Sequence, residues 1–148
     1  RVVALCLDDA GTPPTAQGRA DIAGRLIEGL TGQGLALDDI FIDPLIYPIS
    51  VDGAAAQVVL ETLELVAKRY PGVNTICGVS NVSFGLPSPR LLRRTFLTMA
   101  MSRGLSAAIV DPCDERLMAA VIAAEALLGR DGNCARYIAA HREGKLEA

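Results

Sequence analysis

Aromatic side chains are scarce in this sequence of 148 residues. Phenylalanine and tyrosine together make up 4% of it, and tryptophan is absent. Apolar residues nonetheless account for 51% of the chain, so alanine, valine, leucine and isoleucine have to form the core. This share argues against disorder, and the length suits one domain or part of one. The preference for aliphatic residues favours an α/β protein whose parallel strands are covered on both faces.

Long apolar runs and basic stripes are also missing. No run approaches the roughly 20 apolar residues of a membrane-spanning helix, and the net charge of −3 makes nucleic acid an unexpected partner. Cys6, Cys77, Cys113 and Cys134 are too far apart in sequence for a metal-binding pair. We expect them to be reduced, mostly structural thiols of a cytoplasmic protein, with no metal site.

Two further absences exclude common catalytic sites. No Gly-x-Gly-x-x-Gly follows a strand, which excludes the usual dinucleotide site. The single histidine, His141, lies in a polar terminal segment far from any strand end, so a Ser/His/Asp triad cannot be assembled. We expect His141 to be exposed to solvent.

Strand-like and helix-like patterns alternate along the chain. Apolar runs predict four parallel strands, at residues 2–7, 40–42, 73–79 and 107–110. Helical periodicity follows each of them, at about residues 15–31, 53–70, 88–104 and 115–128. Thr15, Ser88 and Asp114 are the predicted caps of three of these helices, and Asn133 is the predicted cap of a last short helix.

The strand ends recur about every 35 residues, the length of one strand-plus-helix unit. Four such units, with polar residues at the strand ends, predict half of an eight-stranded (βα) barrel; an open doubly wound sheet is the alternative. A buried strand at residue 2 indicates that more chain precedes it. A lone half-barrel would leave two sheet edges unpaired, so we expect either a missing half or the pairing of two copies.

Polar side chains at the strand ends are the candidate site residues. Asp43, before Pro44, is either a turn-forming residue or a carboxylate that receives two N–H donors from a planar heterocycle. Asn81 either caps neighbouring backbone groups or contacts a ligand nitrogen, where its interaction can strengthen as charge develops. The same choice applies to Asp8 and Asp111, with a turn favoured for Asp111.

Three ordered motifs resemble the pterin-binding methyltransferase family. They are FIDPLIYPI at residues 41–49, GVSNVSFGLP at 78–87 and GLSAAIVDP at 104–112. In pattern they are most similar to methyltetrahydrofolate:corrinoid protein methyltransferases and to the folate domain of cobalamin-dependent methionine synthase. The resemblance covers nearly the whole chain. It implies that residues 1–148 are the last four (βα) units of a TIM-type barrel, similar to dihydropteroate synthase.

The resemblance also implies roles for four residues. Asp43 would give its carboxylate to the pterin ring, and Gly78 would leave room for that ring. Ser80 and Asn81 would lie on the next strand, with Asn81 near the nitrogen that carries the methyl group. The implied reaction moves a methyl group between 5-methyltetrahydrofolate and the cobalt of a cobalamin-type corrinoid on a partner protein, in either direction. The implied enzyme is a cytoplasmic homodimer.

Departures from the family pattern leave alternatives open. An Asp and an Asn that contact the pterin from earlier strands have no counterpart here, so the chain holds only part of a site. Phe84-Gly85 stands where some folate–corrinoid enzymes have polar residues, which leaves the methyl donor open. One alternative is a truncated or non-catalytic pterin-binding or dimerisation module. A dihydropteroate-synthase-like enzyme is another, but it would need a basic residue at position 81 or 82.

Overall fold

The structure, a computed structural model, describes residues 1–146 and contains one parallel sheet flanked by helices. The four strands are β1 Val2–Leu5, β2 Ile40–Asp43, β3 Asn74–Gly78 and β4 Ala107–Ile109. The helices are α1 Ala16–Gly32, α2 Ala55–Arg69, α3 Pro89–Ser102, α4 Glu115–Leu127 and α5 Ala135–Arg142. Short 3₁₀ turns occupy Leu37–Asp39, Val79–Ser83 and Gly132–Cys134. None of the helices within residues 1–146 combines the length and apolarity needed to cross a membrane.

The order of the strands distinguishes between the two predicted architectures. All pairs are parallel, and the order is β1-β2-β3-β4. A doubly wound sheet reverses direction at a switch point, whereas here every crossover advances by one strand the same way. Because such crossovers are right-handed, all of the crossover helices lie on one face. The α/β class and the half-barrel arrangement of four (βα) units are confirmed, and the doubly wound alternative is wrong.

The two faces of the sheet differ in burial because the helices cover only one of them. On the covered face, Ile40 and Ile42 are fully buried against α1 and α2. On the opposite face, Val3, Leu5 and Ile109 are between 42% and 61% exposed. Within residues 1–146 the strands are therefore covered on one face, whereas the composition favoured coverage of both faces. The bare face corresponds to the one that lines the interior of a closed barrel.

Of the three caps predicted for the long helices, two are confirmed and one is wrong. The Thr15 hydroxyl accepts the Gly18 N–H at the start of α1, and the Asp114 carboxylate accepts the Leu117 N–H at the start of α4. Ser88 precedes α3 but makes no cap hydrogen bond, and its φ of 51° is left-handed. The proline at the first position of α3 favours the helical φ without that cap.

The predicted cap of the last helix is also wrong. Asn133 lies inside the turn Gly132–Cys134 with a φ of 55°. The buried Asp131 instead accepts the backbone N–H groups of Arg136 and Tyr137, at 3.0 and 2.9 Å. These two hydrogen bonds are the main reason why the pKa of Asp131 is lowered.

Gly104 connects α3 to β4 in a conformation that other residues rarely adopt. Its φ is +104°, and a Cβ at this position would lie 2.8 Å from the Cβ of Ala67 and 3.7 Å from the carbonyl oxygen of Leu63. The glycine therefore allows α2 to approach the end of α3 closely.

We predict that Gly104→Ala lowers the free energy of unfolding by about 3 kcal/mol, because backbone strain and a steric clash add together. Gly34→Ala is the matched control, since Gly34 has a φ of +88° but no atom within 4 Å of the added Cβ. The free energy of unfolding of Gly34→Ala should fall only by the cost of the left-handed backbone conformation, about 1–2 kcal/mol. Urea unfolding of both variants measures the difference, and equal losses would contradict the clash with Ala67.

Candidate functional site

Asp43 ends β2 at the carboxyl edge of the sheet. It is half-buried, and its carbonyl oxygen accepts the Cys6 N–H of the neighbouring strand at 2.9 Å. Its carboxylate Oδ1 accepts the N–H of Leu45 at 2.8 Å. The second oxygen, Oδ2, accepts no hydrogen bond from residues 1–146. Asp43 thus forms a turn with one oxygen and keeps the other available for a ligand.

Burial raises the pKa of Asp43, and the Leu45 N–H lowers it. Two buried thiols lie near the carboxylate, Cys6 next to β1 and Cys77 in β3. Burial, with a smaller contribution from the charge of Asp43, raises the pKa of each thiol to about 12. Both thiols are therefore neutral packing groups, whereas Cys113 and Cys134 are exposed.

Asn81 and Ser80 lie on the turn Val79–Ser83 rather than on β3 itself, which ends at Gly78. Val79 and Val82 are buried and anchor this turn, while Ser80 and Asn81 are exposed. The side-chain amide of Asn81 makes no hydrogen bond to residues 1–146. Within those residues it does not cap backbone groups, so the amide is available to a ligand.

Gly78 lies directly beneath that amide. A Cβ added to Gly78 would lie 3.7 Å from Nδ2 of Asn81 and, its chain neighbours apart, within 4 Å of no other atom of residues 1–146. The space above Gly78 is therefore open, as the resemblance implies for the residue next to a planar ring.

Hydrogen bonds join the segment after β2 to the segment after β3. Ile49 N–H donates to the Val82 carbonyl at 3.2 Å, and the Ser50 hydroxyl donates to the Phe84 carbonyl at 2.7 Å. We call these two contacts the loop tie. Since β2 and β3 also pair in the sheet, Asp43, Gly78, Ser80 and Asn81 come to the same edge on linked segments.

Arg19 is a residue at this edge that the sequence analysis missed. It lies in the first turn of α1, is only 3% exposed and donates Nη1 to the carbonyl oxygens of Pro44 and Leu45, at 2.8 and 2.9 Å. Its guanidinium also stacks over the Tyr47 ring, 5.9 Å from the centroid. The available signal was its position four residues before Ala23, on the buried stripe of α1.

The other candidate aspartates serve as turn residues. Asp8 accepts the N–H of Ala10 and pairs with the exposed Arg25 at 3.2 Å. Asp111 accepts the N–H of Cys113, as its sequence context predicted. His141 is exposed on α5, also as predicted. Within residues 1–146, no three His, Cys, Asp or Glu side chains are arranged to hold a metal ion.

No family model matches this chain, but comparison with known proteins finds relatives that align with most of its length. A methylcorrinoid:tetrahydrofolate methyltransferase from Eubacterium limosum is 32% identical over 145 residues, which cover 98% of this chain and 54% of that protein. Methionine synthases from Mycobacterium tuberculosis and Mycobacterium leprae are 40% and 37% identical over 116 residues. Those residues are 74% of this chain and 10% of each synthase.

These relatives, one of which aligns with nearly the whole chain, support its assignment to the pterin-binding methyltransferase family. The resemblance seen in the three motifs is thereby confirmed. The chain spans about half the length of the methyltransferase that it matches and a tenth of each methionine synthase. The four sequential (βα) units agree with half of the barrel that the resemblance implies.

The raised pKa of Asp43 predicts a pH-dependent effect of removing its charge. Because the folded-state pKa is raised above 3.8, the stability linked to this group is present below pH 3.8 and is lost as the pH rises through the folded-state pKa. Asp43→Asn should therefore unfold with a free energy higher than wild type at about pH 7, by up to about 1 kcal/mol, with a smaller gain at about pH 4. Urea unfolding at both pH values measures this gain, and a gain independent of pH would contradict the assignment.

Proposed function

We propose that this chain supplies the carboxyl-terminal half of a pterin site in a methyltransferase. The proposed enzyme moves a methyl group between 5-methyltetrahydrofolate and the cobalt of a corrinoid protein. The observation that carries this proposal is the presence, on two linked neighbouring segments, of a carboxylate oxygen on Asp43 and an amide on Asn81 that are both available to a ligand. The name of the Eubacterium limosum relative supports the same reaction.

Asp43 suits the recognition of the pterin ring. A planar heterocycle with adjacent N–H groups donates well to a carboxylate, and hydrogen bonds to an ionised group are stronger than neutral ones. The position of Asp43 at the end of β2 keeps its oxygens at the edge of the sheet, and the Leu45 N–H fixes one of them. Bound ring donors would favour the ionised form and offset the effect of burial on the pKa.

Asn81 suits the nitrogen that carries the methyl group. That nitrogen has to gain a proton or positive charge before the methyl group leaves, and the amide oxygen of Asn81 can accept a hydrogen bond from it. An amide does not titrate, so this contact requires no change in the protonation state of Asn81. Catalysis by this residue consists of positioning and electrostatic stabilisation, with no covalent bond to the enzyme.

Gly78 and Ser80 complete the part of the site that this chain provides. The open space above Gly78 accommodates a flat ring beside Asn81, and the exposed hydroxyl of Ser80 is available for a polar ring substituent. A corrinoid on the partner protein supplies the cobalt that accepts or donates the methyl group.

A corrinoid protein has to approach the carboxyl edge of the sheet for direct transfer. Large apolar side chains are exposed on the two tied loops there: Val51 is 83% exposed and Phe84 is 73% exposed, with Tyr47 nearby. These side chains provide apolar contact area next to the proposed pterin site.

We propose that the enzyme is cytoplasmic and acts as a homodimer. Free thiols at all four cysteines are consistent with a reducing compartment. Leu127, Tyr137 and Ile138 are exposed at the α4–α5 end and offer apolar surface for a second copy.

We predict that Asn81→Ala in the full-length protein slows methyl transfer about 100-fold or more, because one group that stabilises developing charge is lost. Folate binding should weaken much less. Transfer from 5-methyltetrahydrofolate to cob(I)alamin is followed by absorbance, and binding is measured by titration calorimetry. The control is Asn74→Ala, since Asn74 starts β3 at the opposite edge of the sheet, and within residues 1–146 its side chain hydrogen-bonds only to the Asp38 carbonyl.

The same measurements of binding and transfer distinguish a methyltransferase from a non-catalytic pterin-binding module. Equal loss of binding and transfer in Asn81→Ala, or loss of neither, contradicts the assigned role. A wild-type protein that binds folate and transfers no methyl group would favour a pterin-binding module instead.

Gly78→Ala tests whether a ring packs on β3. The added methyl group meets only Nδ2 of Asn81, so the free energy of unfolding should change by less than about 1 kcal/mol. Folate affinity should fall by about tenfold or more, because the methyl group occupies the space of the ring. Gly29→Ala is the control, since Gly29 lies on α1 with no atom within 4 Å of an added Cβ. Unchanged folate affinity in Gly78→Ala would contradict this placement of the ring.

A further inference from the structure

Arg19 is a buried cation without an acidic partner within residues 1–146. No carboxylate there lies within 4.0 Å of its guanidinium, although it is only 3% exposed. Burial lowers its pKa. A buried unpaired charge costs several kcal/mol unless hydrogen bonds compensate it. Here the compensation comes from the carbonyl oxygens of Pro13, Pro44 and Leu45.

Two of these three carbonyls belong to the residues that directly follow Asp43. Nη1 of Arg19 donates to both of them, at 2.8 and 2.9 Å, and so holds Pro44 and Leu45 together. Leu45 has a φ of 60°, in the left-handed region that costs a leucine about 1–2 kcal/mol. This unfavourable conformation persists because the surrounding contacts hold it.

The carbonyl of Pro44 and the N–H of Leu45 belong to one planar peptide unit, so the hydrogen bond from Arg19 to that carbonyl fixes the direction of the Leu45 N–H. That N–H donates to Oδ1 of Asp43 at 2.8 Å, which fixes the carboxylate rotamer and leaves Oδ2 for a ligand. A continuous series of hydrogen bonds therefore runs from Arg19 on α1 through the Leu45 backbone to the Asp43 carboxylate. The guanidinium of Arg19 is itself held by a hydrogen bond from its Nε to the Pro13 carbonyl oxygen.

We propose that Arg19 is a positioning residue that holds the Asp43 carboxylate in its ligand-binding orientation by fixing the backbone of Leu45. That this ligand is a pterin rests on the proposed function, whereas the contacts between Arg19, Leu45 and Asp43 are independent of it. The effect of Arg19 passes through one backbone N–H group, which is the group that lowers the pKa of Asp43. Loss of the positive charge of Arg19 would by itself raise the pKa of Asp43, so the contribution of the Leu45 N–H is measured with a substitution at Leu45 that leaves Arg19 in place.

Several titratable groups surround this carboxylate. Cys6 and Cys77 remain neutral in the acid range because their pKa values are raised to about 12. Arg19 is charged throughout that range. Tyr47 and Asp52 lie on the loop after β2, where Asp52 accepts the N–H of Ala54. Since Asp52 is also an acid, assignment of the Asp43 signal requires the Asp43→Asn spectrum.

The test is an NMR titration of the full-length protein labelled with ¹³C at the aspartate carboxyl carbons and with ¹⁵N. In the wild type, the Leu45 amide signal should follow the same pH midpoint as the Asp43 carboxyl signal, because the two groups are hydrogen-bonded. In Arg19→Met, the Asp43 midpoint should move to higher pH, since the carboxylate loses the N–H that favours its ionised form. Arg25→Met is the control, because Arg25 lies on the same helix and, among residues 1–146, pairs only with the exposed Asp8.

A second variant tests the contact between the Leu45 N–H and Asp43 while Arg19 is kept. Leu45→Val places a β-branched residue at a left-handed position, where it is strongly disfavoured, so it should move the Asp43 midpoint upward as well. Leu45→Gly permits that conformation and should leave the midpoint near that of wild type. These substitutions keep the proposal testable if Arg19→Met does not fold.

Folate binding is then measured separately by calorimetry at about pH 7. If the proposed function is correct, Arg19→Met and Leu45→Val should weaken binding about tenfold, the effect of losing one charge-assisted hydrogen bond. An Asp43 midpoint that is unchanged in Leu45→Val or in the folded Arg19→Met, or a Leu45 amide that does not follow the Asp43 titration, overturns the positioning role. An upward shift without any folate binding in the wild type supports the positioning role and contradicts the pterin function.

Discussion

Right-handed crossovers between neighbouring parallel strands are the constraint on which the rest of this structure depends. Because each crossover advances by one strand, all of the crossover helices lie on one face and all strands end at one edge. The candidate site is a consequence of this arrangement, since Asp43 and Asn81 are 38 positions apart in the sequence numbering and become neighbours only through the pairing of β2 with β3. The same arrangement leaves Val3 and Leu5 on a face that no helix within residues 1–146 covers.

The sequence predicted those features that depend on repeated patterns. Apolar runs and helical periodicity located every strand and every long helix, because burial imposes these periods along many residues. The predictions were weaker where one local contact decides the outcome. Ser88 and Asn133 have side chains typical of helix caps, but a following proline and the carboxylate of Asp131 fill these roles. Which of several nearby groups stabilises a helix start is not reflected in any repeating sequence pattern.

In the candidate site, too, the sequence predicted where residues lie but not the local contacts that they make. The positions of Asp43 and Asn81 at strand ends follow from the pattern, whereas the availability of their polar atoms does not. One oxygen of Asp43 is taken by Leu45, and the amide of Asn81 has no partner within residues 1–146. Arg19 escaped notice because an arginine in a helix is normally solvated. Its burial depends on three carbonyl oxygens from segments up to 26 residues away, and no local pattern encodes that set of acceptors.

The loop tie has a consequence for how this site can change during evolution. Ser50 and Ile49 bind backbone carbonyls of Phe84 and Val82, so the segments after β2 and β3 form one unit. An insertion in either segment would displace the other and, with it, the opposite wall of the site. Loops on (βα) scaffolds usually diversify independently of one another. Here a new substrate preference would require coordinated changes in both segments, so single substitutions at exposed positions such as Val51 and Phe84 are the more accessible route to divergence.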